Sequence, residues 1–120
     1  MSEQTVPGTI CHVEIPAPDL EKAKTFFREQ FGWTIHDNLG PTYCLWSAGG
    51  LGGGFSSEMA VVEGGLNVIL AVDDIPGKLE AIARAGGKSV QGKTEIGGGH
   101  GFFALFKDPN GNRLGLWSKT

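Results

Sequence analysis

The sequence predicts an α+β fold in which two tandem βαβββ modules form a curved mixed sheet around a cavity, with the helices on the outer face. Three observations support this prediction. Strand-like and helix-like segments follow one another in the same order in both halves of the 120 residues, two helix-capping aspartates lie 55 residues apart, and bursts of glycine separate the apolar segments. The length suits a single domain over 1–120, with module one at about 8–57 and module two at about 64–118.

The first module is predicted from one strand, one helix and three short strands. Ile10–Ile15 is β-prone and alternating, Asp19 is a suitable N-cap, and Gly32 is a suitable helix stop. Between cap and stop, apolar residues recur at helical spacing, namely Leu20, Ala23, Phe27 and Phe31. The short strands are expected at Trp33–His36, Tyr43–Ala48 and Leu51–Phe55.

The second module repeats this order. A strand is predicted over Leu66–Val72, and Asp74 caps a helix in which Ile75, Leu79, Ile82 and Gly86 share one face. Lys88–Val90 begins a strand, and Phe102–Phe106 pairs with Arg113–Trp117 around the turn Asp108–Asn112. In this alignment Asp19 matches Asp74, Gly32 matches Gly87 as the helix stop, and His12 matches Asn67. Because about 60 residues form a marginal core alone, the two modules are expected to share one.

Composition excludes several classes of protein. With 10 basic and 13 acidic residues the net charge is −3, which does not favour binding to nucleic acid. No apolar stretch approaches the ~18 residues of a membrane span, and Met1–Thr5 lacks the features of a secretion signal, so a cytoplasmic protein is expected. Cys11 and Cys44 each lie in an apolar run and are predicted to be reduced core thiols.

Strand alternation predicts which side chains lie opposite the helices. In the first strand Cys11, Val13 and Ile15 belong to the helix face, which leaves His12 and Glu14 on the other. The same argument places Asn67, Arg113 and Trp117 there in the second module. A concave face that mixes polar and aromatic groups is typical of a small-molecule site, and a simply solvated face is the alternative.

The motifs resemble those of the vicinal oxygen chelate superfamily, which includes glyoxalase I, bleomycin-resistance proteins and extradiol dioxygenases, and they look closest to its lactoylglutathione-lyase-related subgroup. The matching segments are His12–Ile15, Asp19-Leu20, Phe26-Phe27, Phe31–Trp33, Val72–Asp74, Phe106–Asn112 and Leu116-Trp117. The resemblance covers nearly the whole chain. It implies the paired-module fold, a cytoplasmic protein and a homodimer.

The resemblance also implies where a divalent metal would bind in metal-dependent relatives. Their four ligand positions fall on His12, on Gly54 or Phe55, on Asn67 and on Gly115. Only His12 is a strong ligand, whereas a catalytic metal site needs about three protein ligands. No cofactor is therefore expected. Zn, Ni, Fe or Mn is the alternative, with His12, Glu14 and His100 as a possible non-standard set.

Two roles for the polar pair stay open. His12 and Glu14 are candidate catalytic acid–base residues if they converge, or they orient a ligand by hydrogen bonds. The predicted substrate-binding residues are Trp46, Phe55, Asn67, His100, Phe103, Arg113 and Trp117, with Tyr43 and Phe102 as further lining candidates. Any strand aromatic could equally belong to the helix-side core. The run Gly97–Gly101 is expected to be either a mobile flap that carries His100 or an ordinary loop.

The predicted function is binding of a small organic molecule in the concave cavity without the usual divalent metal. The alternative is a metal-dependent lyase or isomerase of the glyoxalase kind, and a third hypothesis is a domain that only mediates protein contacts. The expected partners are a small-molecule ligand and a second copy of the chain.

Overall fold

A computed structural model describes residue 7 and residues 10–64 and 67–120 of the chain. These residues form two compact units that divide between residues 61 and 62, and the predicted modules, at about 8–57 and 64–118, each fall within one unit. The elements of the first module are β1 (His12–Pro16), α1 (Leu20–Phe31), β2 (Thr34–Asn38), β3 (Tyr43–Ala48) and β4 (Leu51–Ser56). Those of the second module are β5 (Ile69–Ala71), α2 (Ile75–Arg84), β6 (Lys88–Glu95), β7 (Phe102–Lys107) and β8 (Arg113–Ser118).

Each module contains one four-stranded mixed sheet. The strand order is β1-β4-β3-β2 in the first module and β5-β8-β7-β6 in the second. The strand before each helix pairs in parallel with the last strand of its module, and the other neighbours are antiparallel. The fold is therefore α+β with two tandem βαβββ modules, as the sequence predicts.

The helix of the first module begins and ends at the predicted residues. The Asp19 side chain accepts a hydrogen bond from the Lys22 backbone N–H at 3.1 Å, and Gly32 ends the helix with a left-handed φ of 68°. The predicted stripe packs inward at Ala23 and Phe27, and Phe26 is buried beside it. Phe27 stacks on Trp33 and Phe55, so the helix covers one face of the sheet with aromatic rings.

The helix of the second module begins as predicted but ends earlier. The Asp74 side chain accepts from the Gly77 N–H at 3.1 Å, whereas the helix stops at Arg84 and the left-handed glycine is Gly86, with φ of 95°. The prediction that Gly87 is the matching stop is wrong. Gly87 has a packing role instead, because a Cβ there would lie 2.5 Å from Ile82 Cγ2 and 2.7 Å from the Lys107 carbonyl oxygen.

Several strand limits also differ from the prediction. β1 begins at His12. β2 begins at Thr34, because Trp33 is buried in the helix-side core instead of pairing in the sheet. β5 covers only Ile69–Ala71, and Leu66 lies outside the described residues. Both cysteines are free as predicted, but only Cys44 is buried, so the placement of Cys11 in the core is wrong.

The turn between β7 and β8 confirms the predicted hairpin. Asp108 is buried and its carboxylate accepts hydrogen bonds from the backbone N–H groups of Asn110 and Asn112 and from the Asn112 side chain. Burial raises the pKa of Asp108, while these hydrogen bonds lower it. Gly111 supplies the left-handed conformation that the turn requires, with φ of 94°. Across all described residues, no helix is long and apolar enough to span a membrane.

Candidate functional site

Side chains of the first module divide cleanly between the two faces of its sheet. Cys44, Trp46 and Phe55 are buried with the helix aromatics on what we call the helix face. Alternation along each strand then assigns the opposite side, which we call the helix-free face. Its members are His12 and Glu14 on β1, Gly52 and Gly54 on β4, and Tyr43, Leu45 and Ser47 on β3. The predicted placement of His12 and Glu14 opposite the helix agrees with this division.

Three polar side chains converge on the helix-free face, and we call them the His–Tyr–Glu cluster. His12 Nε2 lies 2.8 Å from the hydroxyl oxygen of Tyr43, and that hydroxyl donates to Glu14 Oε2 at 2.8 Å. His12 Nε2 and Glu14 Oε2 are 3.8 Å apart. Since the single hydroxyl hydrogen of Tyr43 goes to Glu14, the Nε2 atom of His12 must carry the hydrogen that faces Tyr43. The cluster is therefore a directed chain of hydrogen bonds from His12 through Tyr43 to Glu14.

Gly54 makes this convergence possible. Tyr43 lies on β3 and Glu14 on β1, with β4 between them, and Gly54 is paired with Glu14. A Cβ at Gly54 would overlap the hydroxyl oxygen and Cζ of Tyr43. The tyrosine side chain thus crosses β4 over bare backbone, and any other residue at this position would force it away.

The environment of Tyr43 keeps its hydroxyl protonated. Burial of the phenol and the hydrogen bond to Glu14, reinforced by the negative charge of Glu14, raise the pKa of Tyr43 to about 12. At neutral pH the group therefore acts as a neutral donor and acceptor between an imidazole and a carboxylate.

A second polar pair lies on the same face. His36 Nε2 and the Ser47 hydroxyl oxygen are 2.7 Å apart, which joins β2 to β3. The sequence did not indicate this pair. The two residues come together through the pairing of β2 with β3, and the register of that pairing shifts at the bulge between Ile35 and Asn38.

Trp46 and Phe55, two predicted ligand contacts, belong to the helix-side core. Trp46 is only 2% exposed and stacks on Trp33 at a centroid distance of 4.1 Å, and Phe55 is fully buried against Phe27. Neither ring offers surface to a ligand, so we omit both from the candidate site. Among the described residues, Trp46 Nε1 is also the one buried side-chain donor or acceptor without a partner.

The predicted site residues of the second module are partly brought together. Phe103 and Trp117 are cross-strand partners on the helix-free face of that module, and Arg113 is paired there with Lys107. The Trp117 indole donates to the backbone oxygen of His100 at 2.8 Å. Asn67 precedes β5 and is exposed. Of these predicted contacts, Trp117 and His100 are the pair that a hydrogen bond joins within the described part of the chain.

The glycine run beside His100 is a compact turn. Gly97, Gly98, Gly99 and Gly101 all have positive φ values, and the His100 N–H donates to the Gly97 carbonyl at 3.2 Å. A Cβ at Gly101 would lie 2.5 Å from the Ser118 carbonyl oxygen, so the turn approaches β8 closely. The His100 side chain is exposed on this turn. Its mobility as a flap stays a prediction.

Comparison with known families agrees with this fold. A family model described as the Glyoxalase/Bleomycin resistance protein/Dioxygenase superfamily matches residues 9–116. The chain belongs to this superfamily. A glyoxylase-like domain-containing protein from Didymella fabae is 29% identical over 114 residues, which cover 88% of this chain and 89% of that protein.

Solved structures of this superfamily share the fold. A glyoxalase/bleomycin resistance protein/dioxygenase family enzyme from Burkholderia phytofirmans PsJN superposes with a TM-score of 0.76 at 17% identity, covering 92% of this chain and 98% of that one. A lactoylglutathione lyase from Agrobacterium tumefaciens superposes with a TM-score of 0.67 at 15% identity, covering 95% and 96%. At such identities the likeness concerns the fold.

The residues of this superfamily member do not fit the metal site that its metal-dependent relatives carry. Gly54 and Gly115 have no donor atom, and the space that a side chain would occupy is taken by Tyr43 at Gly54 and by the end of Ile69 at Gly115. No group of three or more His, Cys, Asp or Glu residues suited to a metal ion occurs within 10–64 and 67–120. His12 and Glu14 are a pair of possible ligands, one fewer than the three that catalytic sites need.

Proposed function

We propose that this superfamily member binds a small organic molecule on the helix-free face of the first module, without a divalent metal. The observation that carries the proposal is the convergence of His12, Tyr43 and Glu14 on one point of that face. An imidazole, a phenol and a carboxylate held together and half exposed can orient a ligand through hydrogen bonds, as a few polar groups do in most small-molecule sites.

Burial and exposure within the cluster support a binding role over a purely structural one. The His12 side chain is 27% exposed and that of Glu14 46%, so both polar ends reach solvent. A hydrogen-bond network that only stabilised the sheet would gain little from such exposed partners, because exposed ion pairs contribute little to stability.

The experiment is a screen of small organic molecules followed by the amide chemical shifts of the protein, with each hit repeated on Tyr43→Phe. This variant keeps the ring over Gly54 and removes the hydroxyl that links His12 to Glu14. Hits on the first module that weaken in Tyr43→Phe support the proposal. A screen in which no molecule perturbs the first module contradicts it.

Metal dependence is tested separately. The protein is purified without added metal, and bound Zn, Ni, Fe and Mn are measured by mass spectrometry. We expect less than stoichiometric amounts of each. One equivalent of a divalent metal that is lost in His12→Ala would overturn the metal-free part of the proposal.

The alternative function is a lyase or isomerase of the glyoxalase kind, in which His12 and Glu14 act as acid and base. The hydrogen-bond chain through Tyr43 favours this candidate, because it links an imidazole and a carboxylate, two groups that commonly serve as general acid and base. The assay is turnover of a glutathione–methylglyoxal adduct with each divalent ion added in turn. Turnover that disappears in Glu14→Gln supports the lyase. If the wild type shows no turnover with any of these ions, the binding function remains the proposal.

The predicted contacts of the second module form a further part of the proposal. Trp117→Ala, His100→Ala, Phe103→Ala, Arg113→Ala and Asn67→Ala are each expected to weaken those screened hits that shift amides of the second module. We also propose that the chain forms a homodimer in the cytoplasm, which sedimentation equilibrium would test by mass.

A further inference from the structure

The helix-free face of the first module has a gap beside the His–Tyr–Glu cluster. Gly52 is paired with His12 on one side and with Ser47 on the other, so the three residues form one row across the sheet. Neighbouring strands are about 4.8 Å apart, so the His12 and Ser47 backbones stand about 10 Å from each other across Gly52.

Among the described residues, no side chain beyond those of its two chain neighbours lies within 4 Å of a Cβ built at Gly52. A Cβ at Gly52 would meet a single atom within 4 Å, the Trp46 backbone oxygen at 3.8 Å. Gly54, two residues along the same strand face, is covered by the Tyr43 ring. We call the uncovered position the Gly52 gap. It is flanked by His12 on one side and by the hydrogen-bonded pair of Ser47 and His36 on the other.

The hydrogen atoms of the cluster are already used. Tyr43 gives its single hydroxyl hydrogen to Glu14, and the His12 Nε2 hydrogen faces Tyr43. Within the described residues Glu14 accepts a hydrogen bond only from Tyr43, with His12 Nε2 3.8 Å from the same oxygen, which leaves its second oxygen and its negative charge available. The remaining capacity of the cluster is therefore to accept hydrogen bonds and to face a positive charge.

Resting on the proposed function, we propose that the bound molecule lies over the Gly52 gap and carries an amine or another nitrogen donor that bonds to Glu14. A carboxylic acid is disfavoured there, since it would bring a second negative charge beside that of Glu14, and the Tyr43 hydroxyl already donates its hydrogen to Glu14. The Gly52 gap has room for a flat or aromatic portion of the ligand beside Leu45, whose side chain lies on the same face.

The test compares phenethylamine with 3-phenylpropionate, which share an aromatic ring and differ in the charge of the polar end. Binding is followed by amide chemical shifts in the wild type and in Gly52→Val. Valine suits a strand and would project into open space, so the variant should fold while it fills the gap. Gly92→Val is the matched control, because Gly92 lies on a strand of the second module and, among the described residues, has no atom within 4 Å of an added Cβ.

We expect phenethylamine to shift the amides of Gly52 and His12, to bind about tenfold or more weakly to Gly52→Val, and to bind unchanged to Gly92→Val. Equal binding of 3-phenylpropionate, or full binding of the amine to Gly52→Val, overturns this inference. The inference is also overturned if phenethylamine does not bind while acids from the screen bind the first module.

The proposed function fails on a different result. If screened hits depend on the Tyr43 hydroxyl but bind Gly52→Val normally, the binding function stands and the Gly52 gap is not its ligand position. If no molecule perturbs the first module of the wild type, the proposed function falls, and this inference falls with it.

Discussion

The two modules place a glycine at the same point of their sheets, and a side chain from another strand lies over each of them. Gly54 pairs with Glu14, and Gly115 pairs with Ile69, the residue that the 55-residue offset matches to Glu14. In the first module the covering group is the Tyr43 phenol, bonded to two polar partners. In the second it is the end of Ile69.

This difference shows that the repeat kept its backbone register while the chemistry of the two helix-free faces diverged. The first module presents an imidazole, a phenol and a carboxylate, whereas the second presents Ile69, Phe103, Leu105 and Trp117, with the paired Arg113 and Lys107 at one end. Ile69 is 49% exposed and Trp117 37%, so the apolar character of the second face is not confined to a core. Substitutions on the helix-free face of the first module are therefore expected to disrupt hydrogen bonds. Substitutions on that of the second module are expected to disrupt apolar contacts.

The largest expected effect separates the two strand tryptophans. Trp46→Ala removes a ring that is 2% exposed and should lower the free energy of unfolding by about 3–5 kcal/mol, because it leaves a large cavity. Trp117→Ala should lower it by roughly 1–2 kcal/mol, since the ring is partly exposed and loses one hydrogen bond. Urea unfolding of both variants measures the difference. Equal losses would show that the buried helix-side ring of Trp46 stabilises the protein no more than the partly exposed ring of Trp117.

The next effect concerns the covered glycines. Gly54→Ala should displace Tyr43, break both hydrogen bonds of the cluster and lower the free energy of unfolding by about 2 kcal/mol. A Cβ at Gly115 would lie 2.7 Å from the flexible Ile69 Cδ1 and 3.4 Å from the Ala104 carbonyl oxygen, so Gly115→Ala should cost less. Thermal unfolding measures the stabilities, and the hits of the small-molecule screen report the cluster. Retained binding in Gly54→Ala would contradict the crossing of Tyr43 over Gly54.

The ionisation of Tyr43 sharpens the comparison, because the chain contains one tyrosine. Absorbance at alkaline pH should give a pKa of about 12 in the folded protein, against 10.0 for a free phenol. Since the folded value is raised, the stability linked to it is fully present below pH 10.0 and is lost as pH rises toward 12. Glu14→Gln should lower this pKa and leave it above that of a free phenol, because burial remains. An unchanged pKa in Glu14→Gln would mean that Glu14 does not face the phenol.

The smallest expected effect compares the two helix ends. Gly32 and Gly86 have φ values of 68° and 95°, and alanine in the left-handed region costs roughly 1 kcal/mol at each. Denaturant unfolding of Gly32→Ala and Gly86→Ala should therefore give similar losses. A negligible loss at Gly86 would show that the second helix does not need its left-handed residue.

Local signals explain what could be predicted of the fold. An aspartate cap bonds within its own first turn, and a glycine stop or an Asp-Pro-Asn-Gly turn depends on neighbouring residues, so these features are readable in a single sequence. The Gly86 and Gly87 pair shows the limit. Either glycine can adopt a left-handed φ, and the earlier end of α2, together with the packing of Gly87 against Ile82, decided which one does.

The candidate site was predictable only in part. Alternation within one strand placed His12 and Glu14 on the same face, but it could not reveal Tyr43 as their common partner. That contact joins residues 29 and 31 positions apart and depends on the order of β1, β4 and β3 and on the glycine between them. The facing of Trp46 and Phe55 toward the helix depends likewise on how β3 and β4 pair.

The sequence by itself determined the superfamily, the tandem modules, the helix caps, the closing hairpin and the polar pair on the first strand, because each rests on short-range pattern or on the repeat. The tertiary structure alone decided that Tyr43 crosses Gly54 to join that pair, that Gly52 stays uncovered beside it, and that two predicted ligand-binding aromatics belong to the core. These features depend on register between strands distant in sequence, and a one-residue change of register would exchange the two faces of a strand.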